Sequence, residues 1–357
     1  MTINIAGAGP AGLTAAINLA LAGRDVAVYE KRADAGKRFH GDLQGLENWS
    51  GDTNVIHDLE RMNIKVNFDC DPLLQLITTN GVQQRVSHYP DDEPLCYLVK
   101  RGALPGSLDQ GLKAQALAAG VQIHFNQAIS DEEADIVATG PRSKEVFAVD
   151  KGIVFETSHE DINIFLVNDD AAYKGYAYLL ITNGYGCLCT VLFEQFPRLD
   201  DSFEKSKQIF ADLVPLDIRN PRAVAGVGCF STKNLFQQGQ TLYVGEAAGI
   251  QDLLWGFGIR TAVQSGYLAA DCFLNGRDYA QVAAAFFRPK LKATLVGRFM
   301  WELVRFKDYS LIVNDRSNRT TLKSFDLSNI YRFGFWQKLL YPIARWSMQR
   351  RYPNLKL

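Results

Sequence analysis

The spacing of apolar residues at the start of the chain predicts a strand, a helix and a second strand. A short apolar run at 2–6 is typical of a buried parallel strand, and the Ala- and Leu-rich stretch 13–22 is typical of a helix. The run 25–30 predicts a second strand that ends in an acid. Between the first strand and the helix lies the loop Gly7-Ala8-Gly9-Pro10-Ala11-Gly12. Strand, glycine loop, helix and strand in this order predict a dinucleotide-binding unit.

Each part of this pattern has a physical role in holding a dinucleotide. Gly7 permits a tight turn, Gly9 lets the backbone approach a pyrophosphate, and Gly12 lets the helix pack closely on the strand. The free N–H groups at the helix start favour the anionic pyrophosphate. Glu30 can accept hydrogen bonds from a ribose 2′-OH and would repel a 2′-phosphate, which disfavours NADP at this site. The pattern alone does not separate FAD from NAD.

Later segments extend this unit and add a second kind of sheet. A helix at 108–119 and strands at 121–125 and 133–138 complete the nucleotide-binding sheet. Alternating strands at 162–167, 176–182 and 187–192, with a hairpin signal at 183–186 and an amphipathic helix at 203–213, predict a mostly antiparallel sheet over the cofactor. A further strand at 240–244 leads through a second glycine loop into a helix at 260–273, whose N-terminus can also face a ligand.

These elements predict an α/β (α+β) fold in three parts. The first is a discontinuous Rossmann-like dinucleotide-binding domain, the second an inserted β-sheet substrate domain, and the third a C-terminal helical region. The predicted boundaries are 1–70 with 100–150 and 225–280, then 71–99 with 151–224, then 281–357.

Composition and charge argue against nucleic-acid-binding, membrane-spanning and metal-binding classes of protein. In 357 residues, 38 Lys and Arg balance 39 Asp and Glu, so charge predicts no nucleic-acid partner. No apolar run reaches the ~18 residues of a membrane span, and the start of the chain lacks the basic region of a signal peptide. The cysteines show no CxxC pair and the histidines no metal-ligand spacing, so we expect no metal and a cytoplasmic location with reduced thiols. The oligomeric state is not indicated.

Two segments each leave two interpretations open. His40 is the only histidine in the polar, glycine-punctuated loop 31–45, and it is either a surface residue or a group beside the cofactor. The C-terminal stretch 333–352 interleaves aromatic and basic residues and is interrupted by Pro342. It either packs on the protein itself or makes a peripheral contact with a membrane surface.

The motifs resemble those of flavoproteins with the p-hydroxybenzoate hydroxylase fold, and they are most similar to the geranylgeranyl reductase family. The first glycine loop with Glu30-Lys31-Arg32 resembles the family's FAD fingerprint. The segment Ala138-Thr139-Gly140-Pro141-Arg142-Ser143 resembles Ala-Asp-Gly-x-x-Ser, with Thr139 replacing Asp. The loops 245–249 and 256–259 resemble the second FAD motif, with Glu246 in place of Asp and Leu253 in place of Pro.

The resemblance implies a set of residues that contact FAD. Glu246 would bind the ribityl chain, and the backbone at Gly258 and Ile259 would face the N1/O2 edge of the flavin. Arg101 would lie near FAD and the backbone of Ala128 near the adenine. The full implied set is Gly7, Gly9, Pro10, Ala11, Gly12, Glu30, Lys31, Arg38, Arg101, Ala128, Thr139, Gly140, Gly245, Glu246, Gly256, Gly258 and Ile259.

The resemblance also implies a reaction. Tyr176 and Tyr178 correspond to the family's aromatic motif over the flavin and, with Trp255, would contact the substrate. His40-Gly41 replaces the Cys-Gly of many members, which makes His40 the candidate proton donor. We therefore expect an FAD-dependent oxidoreductase that reduces carbon–carbon double bonds of a small hydrophobic, isoprenoid-like substrate.

Other reactions remain open. With no second GxGxxG, NAD(P)H or another electron donor would visit only transiently. The alternatives are an NAD(P)H-dependent FAD monooxygenase of the same fold, against which Thr139 argues, and a flavin-binding module without turnover. A halogenase of the same fold is disfavoured, because the sequence has no Trp-x-Trp-x-Ile-Pro segment.

Overall fold

A computed structural model describes residues 1–142, 146–230, 234–305, 308–313 and 324–353. The strands are β1 (Ile3–Ala6), β2 (Val26–Glu30), β3 (His40–Glu47), β4 (Asp71–Pro72), β5 (Gln75–Thr79), β6 (Gln84–His88), β7 (Cys96–Gly102), β8 (Gln122–Phe125), β9 (Ile136–Val137), β10 (Ala148–Glu156), β11 (Ile162–Leu166), β12 (Tyr176–Thr182), β13 (Tyr185–Leu192), β14 (Arg219–Gly228), β15 (Gln237–Gln238) and β16 (Thr241–Tyr243). The helices are α1 (Pro10–Leu21), α2 (Val55–Arg61), α3 (Leu108–Ala118), α4 (Leu199–Leu213), α5 (Ile259–Asn275), α6 (Tyr279–Val304), α7 (Ser310–Val313), α8 (Ser324–Tyr331) and α9 (Phe335–Arg351).

The first sheet is the one that the opening pattern predicts. Its strand order is β15-β16-β9-β1-β2-β8, and all pairings are parallel except that of β15 with β16. The helix α1 begins at Pro10, earlier than the predicted start at 13, because the fixed φ of proline suits the first helical position, where no N–H partner is needed. A buried core of aliphatic residues joins this sheet to α1, α3 and α5.

The second sheet has the order β14-β10-β13-β12-β11-β5-β6 and is antiparallel except between β11 and β5. The predicted hairpin is present between β12 and β13, with Asn183 and Gly184 both at positive φ, as a two-residue turn requires. One face of the sheet packs on α4 through Phe203 and Phe210, and the other face is directed toward the first sheet. The predicted fold class, α/β (α+β) with a Rossmann-like sheet, a mostly antiparallel sheet and a helical C-terminal region, is confirmed.

Two local predictions are wrong. The second half of the predicted loop 31–45 forms β3, which pairs with β7, because the glycines in this stretch hide the strand alternation. Pro342 does not interrupt the C-terminal segment but lies inside α9. The long helix α6, with Pro289 inside it, lies almost entirely within the predicted helical region 281–357.

Within the described ranges, no helix has the length and hydropathy of a membrane span.

Candidate functional site

A cavity of about 1000 Å³ lies between the two sheets. One end is formed by two glycine-rich turns at the carboxyl edge of the first sheet, where open α/β sheets bind their ligands. The other end is lined by aromatic rings from the second sheet and α6.

The turn between β1 and α1 forms a glycine cradle, defined here as Gly7, Gly9 and the first turn of α1. Gly7 has φ +104°, and a Cβ there would lie 2.4 Å from the carbonyl oxygen of Ala138. A Cβ on Gly12 would lie 2.1 Å from the carbonyl oxygen of Gly7, so this glycine permits the close packing of helix on turn. A Cβ on Gly9 would meet no atom within 4 Å. The cradle therefore leaves open space above the free N–H groups of the helix start.

The end of β2 closes the cradle on one side. The Glu30 carboxylate accepts hydrogen bonds from the backbone N–H of Ala8 at 3.0 Å and of Arg32 at 2.9 Å. These two bonds fix the carboxylate beside the first turn. Its position suits a ribose hydroxyl, as the sequence predicts.

The second glycine turn lies directly against the first. Gly245 has φ +60°, and a Cβ there would lie 3.0 Å from the Ala11 Cβ. The Glu246 carboxylate forms a 2.8 Å ion pair with Arg38, and both side chains are about one third exposed or less. Gly140, at φ +85°, faces the same ion pair. Two turns distant in sequence thus form one polar chamber.

A buried arginine, Arg101, positions the segment that forms one side of this chamber. Arg101 forms a two-point ion pair with Asp109, with N–O distances of 2.9 and 3.0 Å, and donates to the side chain of Gln44 at 3.1 Å. Its guanidinium stacks on Phe39 at 4.3 Å from the ring centroid. The pair holds the segment that carries Arg38 against β7.

The opposite end of the cavity is an aromatic wall, defined here as Phe165, Tyr176, Tyr178, Trp255 and Trp301. Phe165 lies 5.3 Å from Tyr176 and 6.3 Å from both tryptophans, between ring centroids. The hydroxyl of Tyr176 donates to the carbonyl of Trp255, and burial raises the pKa of this phenol far above its ordinary value. The wall therefore offers a large apolar surface with few free polar groups.

Asp150 is a carboxyl group on this sheet that lies between the two ends. It faces Gly226 across the β10–β14 pair and lies 3.8 Å from the Cys189 sulfur. Burial, with a further contribution from the negative charge of Asp42, raises the pKa of Asp150 to about 6. A carboxyl group with such a pKa exchanges protons near neutral pH. The sequence carried no signal for it, because an acid in an alternating strand usually faces water.

A second buried acid positions the turn that carries Trp255. Asp252 accepts hydrogen bonds from the N–H of Leu254 at 2.8 Å and of Trp255 at 3.1 Å, and from the hydroxyl of Tyr331 at 2.9 Å. Burial raises the pKa of Asp252 to about 6. Since Tyr331 belongs to α8, this acid ties the C-terminal helices to the second glycine turn.

The structure brings most of the predicted site residues to one cavity. Of the residues implied for FAD, all but Gly12 line it, and so do the three implied for substrate, Tyr176, Tyr178 and Trp255. His40 does not line it: the side chain is exposed, and its backbone N–H donates to the Asp42 carboxylate at 3.1 Å. Ser143 lies outside the described residues. Within the described ranges, no cluster of His, Cys, Asp or Glu could hold a metal ion.

Sequence reasoning missed part of the cavity lining. Trp301, Phe165 and Asp150 come from elements whose place in the fold depends on sheet pairing and helix packing. Only the alternation predicted for the strand at 162–167 hinted at a face, that of Phe165.

Comparisons with known proteins agree with this geometry. The family of NAD(P)-binding Rossmann-like domains matches residues 5–57. No curated protein sequence matches the chain. Among solved structures, a geranylgeranyl bacteriochlorophyll reductase-like protein from Thermoplasma acidophilum superposes with a TM-score of 0.63 at 15% identity, over 98% of this chain and 99% of that one.

Two other solved structures have different activities in their names. The flavin-dependent brominase Bmp2 superposes with a TM-score of 0.64 at 15% identity, over 99% of this chain and 100% of that one. A 2-methyl-3-hydroxypyridine-5-carboxylic acid oxygenase superposes with a TM-score of 0.58 at 18% identity, over 94% and 99% of the two chains. At these identities the likeness establishes a shared fold.

Proposed function

We propose that this protein is an FAD-dependent oxidoreductase that reduces carbon–carbon double bonds of a hydrophobic, isoprenoid-like substrate. The observation that carries the proposal is one continuous cavity that joins the glycine cradle to the aromatic wall, with Asp150 between them. The choice of reaction follows the resemblance of the sequence motifs to the geranylgeranyl reductase family, and a reductase-like protein is among the structures that share the fold.

The residues at the polar end fit FAD. The open space at Gly9 and the free N–H groups of α1 suit a pyrophosphate, and the Glu30 carboxylate suits the adenosine ribose. Glu246 and Arg38 lie where the two glycine turns meet and would hold the ribityl chain and the phosphates. The backbone N–H groups of Gly258 and Ile259, at the start of α5, would stabilise negative charge at the flavin ring.

The aromatic wall would hold the substrate. Its rings offer apolar contacts without a charged group, and the phenols of Tyr176 and Tyr178 stay neutral because burial raises their pKa values. A polyprenyl chain buries well on such a surface, at about 0.8 kcal/mol for each methylene removed from water. A charged substrate would find no partner on the wall itself.

Asp150 replaces His40 as our candidate proton donor. The double bond would receive a hydride from bound, reduced FAD at one carbon, with the two electrons drawn from NAD(P)H or another visiting donor. The carboxyl group of Asp150 supplies the proton to the other carbon, so that the alkene gains one hydride and one proton. The pKa of about 6 keeps a useful fraction of the acid protonated near neutral pH, whereas the buried phenol of Tyr178 and the buried thiol of Cys189 are far weaker acids, because burial raises their pKa values.

The proposal is tested by anaerobic reduction of the holoprotein, followed by mixing with polyprenyl alkenes, aromatic compounds or oxygen. We expect rapid reoxidation by an alkene, with the saturated product, at a rate that falls as pH rises through about 6, because the acid must be protonated. Asp150→Asn should slow this step about 100-fold or more and remove that pH dependence.

The matched control is Asp200→Asn. Asp200 is an exposed acid that pairs with Lys151, next to Asp150 in sequence, so this variant should reoxidise like the parent. Oxygen-dependent hydroxylation of the substrate would overturn the proposal in favour of a monooxygenase. A yellow protein that no donor reduces would show a flavin-binding module without turnover.

A further inference from the structure

The outer face of α9 presents a stripe of large apolar side chains to solvent. Its members are 56 to 74% exposed, and they are Phe335, Trp336, Leu339, Ile343 and Trp346. Successive members of the series 335, 339, 343 and 346 are three or four residues apart, so they share one helical face. We call this face the α9 stripe. Monomeric proteins rarely expose so many neighbouring large apolar groups without a binding role.

The opposite face of α9 is fixed to the protein. Ala344 and Met348 are fully buried against α6 and its neighbours. At the end of the helix, Arg351 forms an ion pair with the buried Glu302, and the Tyr352 hydroxyl donates to Glu302 at 2.6 Å. The stripe is therefore held outward, and it does not need to unfold to meet a partner.

The charge around the stripe indicates the kind of partner. From Leu327 to the end of the sequence there is no Asp or Glu, while the basic residues are Arg332, Lys338, Arg345, Arg350, Arg351 and Lys356. Lys338 and Arg345 are exposed along one border of the stripe, and the Arg350 guanidinium lies 5.3 Å from the Trp346 ring centroid. Aromatic and aliphatic groups flanked by cations are the pattern of helices that lie in an anionic membrane surface.

A second copy of the chain fits this surface less well. Two stripes packed together would bring the Lys338 side chains of the two copies near each other, and neither α9 helix carries an acid. An anionic bilayer removes this repulsion. The charge pattern thus favours lipid over self-association.

The stripe also borders the cavity. Trp336 belongs to the stripe and lines the cavity rim, together with Leu340 on the same helix and Met300 on α6. A helix lying in a membrane surface would place this rim at the lipid boundary, where a hydrophobic substrate is concentrated.

From these observations we infer that α9 docks the protein on an anionic lipid bilayer through the α9 stripe. This docking does not rest on the proposed reaction, because the stripe and its charges are independent of what the cavity binds. It gives the cavity a direct exit toward lipid.

The test is sedimentation of the full-length protein with vesicles of phosphatidylcholine alone, or with about one third phosphatidylglycerol. We expect partitioning onto the anionic vesicles to be at least about 10-fold stronger and to fall as salt rises. The double variant Leu339→Ser with Ile343→Ser should lose about 10-fold of this partitioning. The triple variant Lys338→Gln, Arg345→Gln, Arg350→Gln should lose the preference for anionic lipid.

The matched control is Val82→Ser, which removes an exposed apolar side chain on the turn between β5 and β6 and should bind vesicles like the parent. Thermal unfolding and flavin content are measured for every variant, to check that the fold persists. Equal binding by the double variant and the parent, or no binding at all, would overturn the inference. So would a lipid-free dimer that the double variant dissociates, since the stripe would then serve a second copy. Flavin content and alkene turnover in detergent are measured separately from vesicle binding. A failure of the proposed reaction can therefore be told apart from a failure of membrane docking.

Discussion

The two ends of the cavity differ in what forms them: glycines form the polar end, and aromatic side chains form the other. The polar end depends on missing side chains: Gly7, Gly9 and Gly245 bring backbone groups close together and leave room for a ligand. The aromatic wall depends on side chains that are present, contributed by β11, β12, the second glycine turn and α6. A single added methyl group should therefore weaken cofactor binding strongly at the first end. At the second end several rings contact the substrate, so the loss of one ring should weaken substrate binding only in part.

The sharpest test of this contrast is a pair of alanine substitutions in the first turn, which should give the largest effects. Gly9→Ala adds a methyl group in open space, so the fold should persist while FAD affinity falls about 100-fold as the pyrophosphate is pushed away. Gly12→Ala places a Cβ 2.1 Å from the Gly7 carbonyl oxygen and should lower the free energy of unfolding by about 2–4 kcal/mol. Flavin titration and urea unfolding separate the two outcomes.

Equal changes of FAD affinity and of unfolding free energy in the two variants would contradict the separate roles of Gly9 and Gly12. In particular, parental FAD affinity in Gly9→Ala would mean that no phosphate lies above this glycine.

The next largest effect is expected at Asp150, which lies between the two ends of the cavity. Burial raises its pKa from 3.8 to about 6, so the folded state binds a proton more tightly than the unfolded state. Stability contributed by this group is therefore present below about pH 4 and is lost as pH rises through about 6. Asp150→Asn should raise the free energy of unfolding by about 2 kcal/mol at pH 8 and by almost nothing at pH 4. Urea unfolding of the flavin-free protein at both values measures the difference, and a pH-independent gain would contradict it.

The smallest effect is expected on the aromatic wall. Phe165→Ala removes one of several rings, so KM for a hydrophobic substrate should rise about 10-fold while one FAD is still bound per chain. Phe273→Ala, at an exposed position on α5, is the control and should leave KM unchanged. Loss of flavin from the Phe165 variant would show that the two ends are not separable.

The glycine cradle and Glu30 were predictable because their chemistry is mostly local in sequence. The packing of Gly12 on the carbonyl of Gly7 joins residues that are close in the chain, and the helix that follows begins at the turn itself. Glu30 ends the next strand, so its position beside the turn follows from one parallel pairing.

The aromatic end was predictable only in part, because its residues meet through pairing and packing at long range. Asp150 reaches the cavity only once β10 lies between β13 and β14, and Trp301 only once α6 packs beside the second sheet. His40 illustrates the opposite failure. It lies in the predicted loop, but that stretch forms the start of β3, whose alternation directs the histidine to solvent.

The meeting of the two glycine turns has a consequence for biosynthesis. The second turn lies against Ala11, and Gly266 on the helix that follows packs on the carbonyl of Ala11, far away in the sequence. A nascent chain can display the first turn early, but the chamber is incomplete until translation has passed α5 and that helix has left the ribosome. Cofactor capture is therefore a late event, and ribosome-stalled chains that end before the second turn should emerge without flavin.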